Sequence, residues 1–115
     1  MLLLEELIID SDGDMEIGSA VVAGFDDDKN LVVELHFSDY VSDYGRKTWA
    51  VVEKEDALEM AKHLAIRLTA LPAEIGKRFG DSSDMAVPSE VEGVFKDILD
   101  FILECGVHYR LKKDL

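Results

Sequence analysis

Apolar and polar residues alternate along the first part of the chain and recur at helical spacing along the second. Leu31, Val33, Leu35 and Phe37 share one side of residues 31–37, with Glu34 and His36 on the other. A period of two marks a half-buried strand. Ile17–Phe25, rich in Val and Ala, reads as another strand, and Asp26-Asp27-Asp28-Lys29-Asn30 reads as a short polar hairpin loop between the two. Residues 46–53, with Thr48, Trp49, Val51 and Val52, read as a third, with Trp49 half-buried in the core. Leu3–Asp10 carries two signals. Its Leu and Glu content suits a helix, but Leu7-Ile8-Ile9 runs directly into Asp10-Ser11-Asp12-Gly13-Asp14, a turn composition. We read it as a strand.

Beyond residue 54 the period changes. From Glu55 to Thr69 a helix would place Ala57, Leu58, Ala61, Leu64, Ala65 and Leu68 on one face, with Glu59, His63 and Arg67 opposite. Pro72 is expected to end it, because the residue before proline avoids the helical region. Residues 73–79 form a further short helical stretch closed by Gly80. A second main helix starts at Ser89, which with Glu92 has the spacing of a capping box. Val91, Val94, Phe95, Ile98, Ile102 and Cys105 line its apolar face, Leu99 and Phe101 flank it, and Gly106 stands where a left-handed terminator is wanted. Residues 107–111 read as a last strand. The order β-β-β-β-α-(α)-α-β predicts an α+β fold, a single domain over residues 1–115. Its two layers are a largely antiparallel sheet of four or five strands under two main helices.

Charge changes the picture more than composition does. The 115 residues carry 25 acids and 12 bases, a formal charge of -13. Twelve of the acids and a single base, Lys29, fall in residues 1–45, which therefore hold -11 of the total. Asymmetry of this kind points to a charged partner. Its sign disfavours direct nucleic-acid or anionic-membrane binding, both of which need Lys and Arg. One cysteine, no apolar run of spanning length and an acidic start without a basic n-region fit a cytoplasmic protein.

No residue pattern calls for catalysis, a cofactor or a metal. Asp10, Asp12 and Asp14 surround Gly13, but the glycine falls at the wrong place for a calcium loop and no helix pair flanks it. His36, His63 and His108 match no zinc spacing. The glycines form no phosphate loop. Cys105 lies near a helix C-terminus, where the dipole raises a thiol pKa, so it reads as a small core residue.

If the first four strands form a meander, the connections at residues 10–14 and 38–45 meet at one end of the sheet. That end would gather Asp10, Asp12, Asp14, Asp39 and Asp43, with Tyr40 and Tyr44 as aromatic anchors and almost no local base. The tyrosines equally suit folding back onto the core. An acidic surface of this kind suits a strongly basic protein. In size, charge and layout the whole chain, through stretches such as LVVELHF, KTWAVVEKEDALEMAKHL and VEGVFKDILDFILECGVHYRL, resembles the immunity proteins of polymorphic toxin and contact-dependent inhibition systems in bacteria. The resemblance implies a non-catalytic protein that neutralises a cognate basic toxin, often a nuclease, by tight one-to-one binding. Two alternatives stand beside it: a nucleic-acid-mimicking anti-nuclease decoy, and a small ligand-binding, regulatory or enzymatic α+β domain. A deep polar pocket holding His36 or His108 would favour the last.

Overall fold

A computed structural model describes residues 2–10, 17–39, 46–80 and 88–113. Five strands, β1 (Leu3–Asp10), β2 (Ile17–Phe25), β3 (Leu31–Asp39), β4 (Arg46–Val52) and β5 (Arg110–Lys113), form one antiparallel sheet in the order β1-β2-β3-β4-β5. Three helices, α1 (Lys54–Leu64), α2 (Leu71–Phe79) and α3 (Pro88–Glu104), complete the domain, with a 3-10 turn at Leu68–Ala70. The fold is α+β, in the order the hydrophobic pattern predicts, and Leu3–Asp10 is a strand.

The sheet buries one face because β3 alternates. Val21, Leu35 and Thr48 stand in one cross-strand row, Ala23, Val33 and Ala50 in the next, and Phe25, Leu31 and Val52 in the third. All except Thr48 are buried in a single core with Met60, Leu71, Ile75, Val91, Phe95, Ile98 and Ile102 of the helices. Helix α2 packs chiefly on β1, and α3 chiefly on β2. Gly80, which ends α2, lies so close to β1 that an added Cβ would stand 2.8 Å from the Ile8 carbonyl oxygen and closer still to that of Gly76. The two helices meet at Phe101, whose ring is 5.4 Å from that of Phe79 in an edge-to-face contact, with the Arg78 guanidinium 5.1 Å from its centre.

Helix boundaries depart from expectation in three places. The first helix stops at Leu64 instead of running to Thr69. Ala65 takes a left-handed conformation (φ 57°), and the Ile66 amide donates back to the Ala61 carbonyl oxygen at 3.0 Å. This is a helix-terminating motif without the glycine that usually announces it. Pro72 consequently opens α2 within its first turn, where a missing amide costs nothing. The buried side of α1 is Ala57, Met60 and Ala61, rotated from the expected stripe, so Met60 is fully enclosed and Leu58 is exposed. Helix α3 begins at Pro88, which makes Ser89 its second residue rather than its cap. Glu92, expected to complete a capping box, reaches Lys96 at 3.9 Å. Further along, Gly106 adopts φ 81°, and the last strand starts at Arg110, later than expected, with Val107 buried before it.

One contact ties the far hairpin to the helical layer. The Asp26 carboxylate accepts the amides of Asp28 (3.0 Å) and Asn30 (2.9 Å), which shapes the turn and places Lys29 in the left-handed region. The Asn30 side-chain oxygen then accepts the Lys54 amide at 3.0 Å. It serves an orphan donor in the first turn of α1, which has no side-chain cap of its own. We expect Ile98→Ala, which empties a fully buried site, to cost ~2–5 kcal/mol in urea unfolding. Asn30→Ala should cost about 1 kcal/mol, as for a lost helix cap. Wild-type stability in either variant would contradict the packing or the cap described.

Candidate functional site

The sheet topology decides which acidic segments share a neighbourhood. Asp10 ends β1 opposite Ala20, and Asp39 ends β3 opposite Ile17, so both terminate on flanking sides of the same end of β2. The strand ends that bound residues 11–16 and 40–45 therefore lie at one end of the sheet, and the 26–30 hairpin lies at the other. Asp12, Asp14, Tyr40, Asp43 and Tyr44 fall outside the described residues, and Asp10 and Asp39 are placed by their backbone alone.

The end is not free of base. Strand β4 starts there with Arg46 opposite Phe37 and Lys47 opposite His36, and β5 brings Lys113 opposite Thr48. A charge count stopped at residue 45 misses these residues because they arrive from the next two strands. Charge is thus graded across the sheet: acids on β1 and at the end of β3, and Arg46, Lys47, Arg110, Lys112 and Lys113 on β4 and β5.

Trp49 departs from its expected place in the core. It lies on the open face of the sheet, partly buried, and its indole nitrogen donates to Glu34 Oε1 at 2.8 Å. Lys47 Nζ stands 3.9 Å from the same oxygen. Glu34 and Trp49 face each other across β3 and β4, so alternation combined with the hairpin register would have paired them.

The histidines are separated. His36 is half-buried on the open face beside Lys47, while His63 is exposed in the last turn of α1. His108 lines a half-open cleft of about 230 Å³ with Val51, Glu53, Asp56, Tyr109 and Arg110. Within that cleft Arg110 stands 3.8 Å from Glu53. The space is below the roughly 300–1,000 Å³ typical of small-molecule sites. Among the described residues, no group of three or more His, Cys, Asp or Glu side chains is arranged to hold a metal ion.

Three leucines of β1 carry no sequence signal of exposure. Leu3, Leu4 and Leu7 are 54%, 57% and 57% exposed, with Glu5 and Glu6 exposed between them. The strand gains residues relative to β2 between Leu3 and Glu6 and between Leu7 and Ile9, and Leu4 has φ 52°. These irregularities aim Ile8 and Ile9 together at the core and break the simple in–out alternation that would have assigned the leucines.

Comparison with protein-family models, curated proteins and solved structures finds no match for this chain. Among the described residues no helix is long and apolar enough to cross a membrane.

Cys105 is buried where α3 ends, as its place on the apolar stripe implies. Burial pushes its thiol above the ordinary value of 9.0; Arg78 pulls it down and Glu104 pushes it up. A folded-state pKa above the unfolded one means that the unfolded chain releases this proton first. The associated stability is complete below pH 9.0 and is lost as pH rises from there through the folded-state pKa. Wild type should therefore lose more stability than Cys105→Ala when urea titrations are moved from neutral pH to above pH 9.0. Parallel losses would contradict the raised thiol pKa.

Proposed function

We propose that this protein is an acidic, non-catalytic binding protein that neutralises a basic protein partner, in the manner of a bacterial toxin-immunity protein. The observation that carries the reading is charge placement. Residues 1–45 hold -11 of the -13 net charge, and the meander brings the strand ends bearing Asp10 and Asp39 to one end of the sheet. Asp12, Asp14 and Asp43 belong to the two segments those ends bound, and Tyr40 and Tyr44 supply anchors of low conformational-entropy cost. Clustered charge accelerates encounter by ~10–10³ and fixes orientation. The bases Arg46 and Lys47 on the neighbouring strand limit how far such a partner extends across the sheet, because a basic surface is repelled there.

The test first asks whether a basic toxin domain is encoded beside this chain and binds it, and then compares two pairs of charge reversals against that domain. Asp39→Lys with Asp43→Lys should weaken binding by several kcal/mol, since each removes an attraction and adds a repulsion. Tyr40→Ala and Tyr44→Ala should each cost more than about 1 kcal/mol. The matching pair at the far hairpin is Asp27→Lys with Asp28→Lys, because Asp26 is occupied in holding the turn. That pair should only slow association. A larger loss from the hairpin pair, or binding that is insensitive to both pairs and to salt, would overturn the reading.

A further inference from the structure

We propose that the outer rim of β1, residues 3–7, docks a basic segment of the protein partner in which apolar side chains alternate with Lys or Arg. The inference rests on the binding function proposed above and extends it from the end of the sheet to its edge.

Six large apolar residues of the described chain are exposed, and three of them, Leu3, Leu4 and Leu7, fall within five consecutive positions. The others, Leu58, Leu103 and Leu111, stand singly on separate elements. Isolated exposed leucines are ordinary, but a cluster on one edge marks a contact surface. Leu7 stands opposite Val22, which is half-buried on the open face, so the apolar surface continues inward from the edge. Among the described residues β1 pairs with β2 alone, which leaves its outer side uncovered by another strand.

Charge selects the occupant. Glu5 and Glu6 interrupt the leucines, and no ion pair among the described residues engages either one. A two-fold pairing of β1 with a second copy of itself would set these glutamates against their own equivalents, which is destabilising. A basic segment neutralises them while its apolar side chains meet the leucines. The added residues in β1 also set the mode of contact. An irregular edge is a poor template for a full strand ladder, so side chains carry the recognition. The rim leads directly along β1 to Asp10, so one partner can span the edge and the acidic end.

Short synthetic peptides probe the rim, with amide shifts of the labelled full chain as readout. A peptide of alternating Lys and Leu should shift residues 3–7 and Val22. An alternating Glu and Leu peptide should bind at least about tenfold more weakly. Glu5→Lys with Glu6→Lys, and separately Leu4→Ser with Leu7→Ser, should each weaken the Lys–Leu peptide at least about tenfold, with amide shifts elsewhere preserved as proof of fold. Equal binding of the two peptides, no binding, or variants within about twofold of wild type overturn the proposal. So do shifts confined to residues 10, 17 and 39 and lost in the Asp39→Lys, Asp43→Lys protein, although that result leaves the acidic-end function standing. Sedimentation that shows self-association abolished by Lys112→Glu with Lys113→Glu would assign the rim to a second copy and overturn it as well.

Discussion

The structure depends on one constraint: a sheet with a single buried face must be covered by helices that are apolar on one side. Strand β3 sets it. Leu31, Val33 and Leu35 face inward at the centre of the sheet, and every other core row is built outward from them. Fully buried Ile98 and Ile102 of α3 and Ile75 of α2 complete the layer. Burying a side chain of this size, as β1 does with Ile8 and Ile9, contributes roughly 1.5–3 kcal/mol, which outweighs the sub-kcal helix propensities of its Leu and Glu residues. The other face of the sheet is thereby left outside the main core. It holds the Glu34–Trp49 pair, His36 and the approach to the β1 leucines.

The same constraint explains what could be read in the sequence. Alternation in β3 and the helical stripe of α3 are both dictated by burial, so strand order, helix order and the α+β class followed from spacing. The end of α1 and the starts of α2 and α3 did not, because they rest on backbone hydrogen bonds and proline placement, whereas Gly80 and Gly106 mark the ends of α2 and α3 as read. Ala65 ends α1 without a glycine, and Pro72 and Pro88 open helices at positions where a missing amide is harmless. The cap on α1 was invisible for a different reason. Asn30 lies far from Lys54 in the chain and reaches it only once the hairpin and the helical layer are assembled.

The site was legible to the same uneven degree. The meander was a supposition from four successive strands; the sheet order realises it and places the ends of β1 and β3 together. The bases of β5 at that end, and the exposure of Leu3, Leu4 and Leu7, were not accessible from periodicity, whereas Arg46 and Lys47 open the strand that the meander itself sets there. The β5 bases depend on strand neighbours distant in sequence, and the leucines on residues added to β1 that break its alternation. The result is a sheet whose two edges carry opposite charge and are both unsuited to edge-to-edge pairing. Edge β1 is irregular and acidic, and β5 is short and basic.

The central claim is that a basic protein is recognised through the acidic end and edge of the sheet rather than through the helices. Hydrogen exchange of this chain, alone and mixed with a basic toxin domain that binds it, tests it most directly. The account predicts added protection in β1 and in the segments joining β1 to β2 and β3 to β4, with α1 and α3 unchanged. Protection confined to the helical layer, or an exchange pattern identical with and without the toxin domain, would contradict it.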